Sequence, residues 1–201
     1  FFVSLAVVAI QLVCCALFTY AVAFMKVKGR NMLFRLVLFT YMVPTAVTYI
    51  PCYIILSRMG LLDSYQGLIL SNGVSVFGIF LLHQAFEAVP KETMEAARMD
   101  GAGTLSVIHY IILPVISPGI ITVSIIVALN TWNEFLVSST FLIGEKNFTA
   151  MLALLAINGQ NTQNYGLNLA ATVTLVGPII IFFLLIQRKF IDGIVSGSVK
   201  G

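Results

Sequence analysis

Long stretches without a charged residue govern what this chain can fold into. Residues 1–25, 36–57, 64–86 and 110–133 contain no Asp, Glu, Lys or Arg, and neither does 147–187, whose later part matters most. Each reaches the ~20 residues that a helix rising 1.5 Å per residue needs to cross about 30 Å of hydrocarbon. Backbone in lipid must bond to itself, so the expectation is an all-α membrane protein with five spanning helices. Their boundaries are read as about 1–25, 36–57, 66–86, 117–141 and 166–187, a transmembrane domain over 1–187. Composition agrees: 59% of the 201 residues are hydrophobic and 9% charged, more apolar surface than a soluble domain hides.

Basic residues near the ends of spans stay on the cytoplasmic side. Lys26, Lys28, Arg30 and Arg35 follow the first span, Lys91 and Arg98 sit in the loop 87–118, and Arg188, Lys189 and Lys200 lie in the tail 188–201. These nine of eleven basic residues put that loop and the C-terminus in the cytoplasm, with Phe1, Arg58 and Lys146 outside. A first residue that is not Met, placed outside with no basic stretch before it, leads to the expectation of a missing N-terminal piece carrying one more span. The net charge of +3 belongs to these loops and calls for no nucleic-acid partner.

Pro44 and Pro51 mark the second span as kinked and facing protein, where neighbours satisfy freed carbonyls. The link 58–67, with Gly60, Asp63 and Gly67, reads as a turn that only connects. In 87–118 two short helices are expected. Pro90 opens the first, Glu92 and Glu95 suit its positive end, and Gly101 closes it after about three turns. Thr104 is the expected N-cap of the second, and Pro114 its end. The apolar piece 148–157 is too short to cross and either re-enters or lies at the surface, beside the polar segment 158–165. Gly177–Pro178 is an expected kink in the last span, and Gly193, Gly197 and Gly201 read as a close-fitting or flexible tail.

Little enzyme chemistry is visible. No Gly-Lys dipeptide occurs, which excludes a P-loop, and neither HExxH nor GxSxG is present. Cys14, Cys15 and Cys52 lie inside spans without CxxC spacing and read as small packing residues. His83 and Glu87 share a helix face and read as a helix-end electrostatic pair, not a metal site. Asn72 reads as glue between helices.

The loop 87–118 carries Glu95-Ala96-Ala97, then Gly101, then Ile111 and Leu113-Pro114. This spacing resembles the signature loop of bacterial importer permeases of the ABC transporter family, which docks onto a separate ATPase. The resemblance implies an ATPase-docking role for Glu95, Ala96, Ala97 and Gly101, joined by Leu113 and Pro114. The residues themselves fit it: small Ala96 and Ala97 allow close approach, while Met94 and Met99 offer adaptable apolar contacts. Gly101 sets the angle between the two helices, so a bulky replacement should misdirect the docking face.

Val89-Pro90-Lys91-Glu92, Asp100-Gly101-Ala102-Gly103, Trp132-Asn133-Glu134-Phe135 and the ending from Gln187 to Gly201 are similar to the carbohydrate-importer branch. The likeness is to the second permease of maltose-type and glycerol-phosphate-type systems. It implies a type I importer transmembrane domain that moves a sugar or related polyol or sugar phosphate. It implies as partners a second homologous permease, two copies of a cytoplasmic ATPase and an extracytoplasmic solute-binding protein. The chain itself is then non-catalytic and holds no cofactor, with ATP and Mg bound by the ATPase. Asn130, Trp132, Asn133 and Glu134, in the outer half of the fourth span, line the substrate path, serve the interface between the two permeases, or are hydrated near the headgroups. Alternatives are a permease for an amino acid, peptide or metal, and a carrier or channel working without ATP.

Overall fold

Turn residues interrupt the apolar runs and set the element order. The computed structural model describes residues 1–25, 28–160 and 164–198. Lys26, residues 161–163 of the polar segment, and Lys200 with Gly201 lie outside the described residues, as do the side chains of Lys91, Arg188 and Lys189. The helices are α1 (Phe2–Phe24), α2 (Arg30–Thr40), α3 (Thr45–Arg58), α4 (Tyr65–Ser71), α5 (Val76–Glu87), α6 (Lys91–Met99), α7 (Thr104–Val107), α8 (Leu113–Trp132), α9 (Leu136–Phe141), α10 (Ala150–Gln160) and α11 (Tyr165–Ser198). No strand occurs among the described residues.

Among the described residues, three helical stretches are long and apolar enough to cross a membrane: Phe2–Phe24, Thr104–Trp132 and Tyr165–Leu184. The number rises to five if two bent pairs each count as one. The first pair, α2 and α3, is bent by 98° where a single kinked helix was expected. Pro44 is the cause, since it donates no hydrogen bond and pushes the preceding residue out of helical geometry; its own ψ is 136°. Pro51, by contrast, sits inside α3 without breaking it. The expected protein-facing side is also not met within this chain, because α2 buries no residue and α3 only Leu56.

The second pair, α4 and α5, is bent by 53° in a region read as one helix. Asn72 ends α4, its amide donating to Leu68 O at 3.0 Å, and Ser75 starts α5 by accepting from Gly78 N at 3.0 Å. Asn72 thus takes part in ending its own helix, a duty not expected of it. The fourth run is broken too, between Trp132 and Leu136. In α11 Gly177 and Pro178 cause no break, and the helical backbone continues to Ser198 instead of ending at Gln187. The apolar piece near 148–157 becomes α10, about 16 Å long and too short to cross.

The chain forms two compact units. The first comprises Phe1–Val8, Val43–Gly73 and Ile126–Arg188. Its apolar centre joins Leu68, Leu142 and Leu152, with Val3, Val137 and Phe148 against them. Here the link 58–67 does more than connect. The Asp63 carboxylate accepts from Ile143 N and Gly144 N, both at 2.9 Å, and Asn147 Nδ2 donates to Asp63 O at 2.8 Å. Asp63 N donates in turn to Phe141 O at 2.7 Å. Nearby, Tyr49 stacks on Phe141 and bonds the Thr140 hydroxyl. Gly67 permits the tight turn, because a Cβ there would lie 2.1 Å from Leu61 O.

The second unit comprises Ala9–Met42, Val74–Ile125 and Lys189–Gly201. Close approach is its theme. A Cβ on Gly119 would lie 2.7 Å from that of Ala85, so α8 and α5 meet backbone to side chain. Buried Cys15 donates from Sγ to Ser75 O at 3.5 Å, the packing role expected of it. Phe24 meets Phe86, and Phe34 stacks on His83 with centroids 4.0 Å apart.

Candidate functional site

The segment between α5 and α8 is built around α6. Pro90 occupies the N-cap with φ −65°, Glu92 lies in the first turn and Arg98 in the last, each favoured by the helix dipole. The end is a Schellman motif: Ala102 N donates to Ala97 O at 2.9 Å and Gly101 N to Arg98 O at 3.1 Å. The motif requires left-handed backbone at Gly101, whose φ is +86°. An added Cβ there meets nothing within 4 Å, so the glycine is needed for conformation and not for space.

α6 presents Glu95 and Ala96 to the outside, with Ala97 half-buried. Met99 is 83% exposed, whereas Met94 is only 6% exposed and packs inward. The two methionines expected to share a docking face therefore part: one holds α6 to its own chain, the other is free.

The second expected helix of this segment is not separate. Gly103, not Thr104, takes the N-cap position of α7, and the chain continues through a π-helical turn, Ile108–Ile112, into α8. Leu113 N donates to Ile108 O in that wider turn. Pro114 thus starts α8 rather than ending a helix. Its ring would clash with the carbonyl four residues back and it donates nothing, and a π turn just before it relieves both demands. Leu113 and Pro114 are exposed, and Leu105 and Tyr110 more so, at 81% and 75%. These last two were not among the expected docking residues, and nothing sets them apart in the sequence, where Val107, Ile108, Ile111 and Ile112 surround them.

In the first unit, the four polar-path residues surround the break after α8. Asn130 and Asn133 are exposed, and Asn133 Nδ2 donates to Leu129 O at 2.9 Å. Glu134 lies in the break and not within a span helix. Its carboxylate accepts from Val137 N at 2.6 Å, Ser138 N at 2.9 Å and Ser138 Oγ at 2.7 Å. That makes it the cap of α9, satisfying amides that a helix start leaves open. Trp132 buries Nε1 without a partner and lines an apolar cavity of about 120 Å³ with Leu129 and Pro178. The cluster therefore divides between two exposed amides, one half-buried indole and one helix cap.

His83 Nδ1 and Glu87 Oε1 lie 3.6 Å apart, the expected pair at the end of α5. The separation is too long for a hydrogen bond.

Comparison with known proteins fits this architecture. A family described as "Binding-protein-dependent transport system inner membrane component" matches residues 13–194. An arabinooligosaccharides transport system permease protein of Halalkalibacterium halodurans is 33% identical over 99% of this chain and 71% of its own length. The trehalose transport system permease protein of Mycobacterium tuberculosis is 30% identical, covering 99% and 74%. The sn-glycerol-3-phosphate transport system permease protein of Yersinia pestis is 31% identical, covering 89% and 64%. A bacterial ABC transporter that imports the acidic polysaccharide alginate has the same fold, with a TM-score of 0.80 at 23% identity over 94% of this chain and 72% of the other. On the match that spans residues 13–194, the chain belongs to the family of inner-membrane components of binding-protein-dependent transport systems, the ABC importer permeases.

Proposed function

We propose that this chain moves a sugar, or a related polyol or sugar phosphate, across the cytoplasmic membrane, driven by ATP hydrolysis in a partner ATPase. The observation that carries the reading is the α6 segment: a short helix with Glu95 and Ala96 outward and Met99 free, stopped by the Schellman turn at Gly101. Such a rigid, small-residue helix suits a groove in another protein. In this reading it docks on the ATPase, and Leu113 and Pro114 begin the helix that carries the movement into the membrane. A second permease, two ATPase copies and an extracytoplasmic binding protein complete the assembly. The sugar class is supported by the relatives named for arabinooligosaccharides, trehalose and glycerol 3-phosphate.

The test is purification of the whole assembly, co-expressed with its neighbouring genes, followed by ATP hydrolysis and uptake assays. An ATPase and a second permease should co-elute, and Gly101→Trp should abolish uptake while membrane insertion persists. A chain that purifies alone and transports in vesicles without ATP overturns the reading.

A further inference from the structure

A cavity of about 350 Å³ opens in the second unit, at the end of α1 and beside α5. Val22, Phe24 and Phe86 line it together with Arg30, His83 and Glu87, which bring polar groups to it. Arg30 donates from one terminal nitrogen to Ala23 O and Met25 O, both at 3.2 Å, and among the described residues its remaining donors have no partner. Among the described residues no ion pair joins Arg30 to Glu87. The His83 ring is held by its stack on Phe34, yet its buried Nδ1 has no hydrogen-bond partner. A buried polar nitrogen left so is costly, and a polar cavity beside it points to a ligand.

We propose that this cavity binds the headgroup of a zwitterionic aminophospholipid. Both charges of such a headgroup find their match here. The phosphate oxygens accept from the Arg30 guanidinium and the exposed Asn31 amide at the cavity wall, and the primary ammonium donates to Glu87 and to the unpaired His83 Nδ1, which lies 3.6 Å from that carboxylate. The position is that of a headgroup, because α1 is an uninterrupted apolar helix of membrane-crossing length that ends at Phe24. The acyl chains run along apolar residues already exposed beside the site, among them Met32 and Leu33 on α2. A trimethylated headgroup lacks the N–H donors that Glu87 would accept from, so the site selects ethanolamine over choline.

The experiment extracts the complete transporter from bilayers of equal phosphatidylethanolamine and phosphatidylcholine and counts retained lipids by native mass spectrometry. Wild type is expected to retain the ethanolamine lipid about tenfold over the choline lipid. Glu87→Gln and Asn31→Ala, both exposed and therefore safe for folding, should each reduce that enrichment several-fold while the complex stays assembled with its ATPase. Equal retention in wild type and both variants overturns the proposal. So does full displacement of the retained lipid by inorganic phosphate, which carries no ammonium and would assign the cavity to a free phosphate compound. Because lipid is counted in an assembled complex whatever it transports, failure here is distinct from failure of the sugar-import reading.

Discussion

Gly101 and Asp63 both hold left-handed backbone, with φ of +86° and +53°, for different reasons. At Gly101 the conformation closes α6, and any side chain would cost about 1–2 kcal/mol locally. Gly101→Ala should therefore weaken uptake while Gly101→Asn, more tolerant of this region, keeps more of it; equal uptake by both would show that conformation is not what matters. The glycine was legible because a helix of about three turns needs such a stop. Asp63 was not, because its partners lie about 80 residues away in sequence. Hydrogen bonds from Gly144 N, the Asn147 amide and Ile143 N hold its carboxyl below the usual carboxylate range. A depressed native pKa means the contribution is complete above about pH 4 and is lost as pH falls through the lower native value. Thermal melting of the purified complex should thus lose stability below about pH 4, and Asp63→Ala should lower the melting temperature at pH 7 and flatten part of that acid loss. An unchanged acid profile in the variant would remove Asp63 from the account.

At the scale of elements, helix breaks decide which residues are free to bind. Glu134 read as a polar residue inside a span, but the break between Trp132 and Leu136 makes it the cap of α9. That break falls at the polar pair Asn133-Glu134, which was expected to lie inside a span, whereas Pro44 announced its own. Glu134→Ala should cost about 0.5–2 kcal/mol of stability, with Glu134→Gln recovering part of it. If uptake fell in Glu134→Gln without any change in melting temperature, a direct role toward substrate would return. The π turn Ile108–Ile112 is a second element the sequence hid, since its residues suit an α-helix equally well. Deleting His109 removes the extra residue and closes the turn to an α-turn, which sets the Pro114 ring against the carbonyl four residues back and kinks the helix there. Such a variant should insert and still recruit little ATPase, while Pro114→Ala, which leaves the register alone, should retain uptake. Full uptake after the deletion would mean that the angle between α6 and α8 is not transmitted.

Viewed as a whole molecule, the chain leaves much of its apolar surface uncovered: α2 buries nothing, and Ile50, Ile54 and Ile55 of α3 are exposed. A soluble protein cannot tolerate patches of that extent, but lipid or a second permease can cover them. The all-helical class was legible from the uncharged runs, because length and hydropathy alone dictate it. The breaks other than the one at Pro44 were not, because they depend on a few local hydrogen bonds. Orientation rests on basic residues alone and can be read directly. In a chain with Cys14, Cys15 and Cys52 replaced by Ser, a cysteine at Lys146 should react with a membrane-impermeant thiol reagent in intact cells. One at Met99, 83% exposed, should react only in inverted vesicles. The opposite pattern would place the α6 segment outside, where no ATPase could reach it, and would overturn the docking role together with the proposed coupling to ATP.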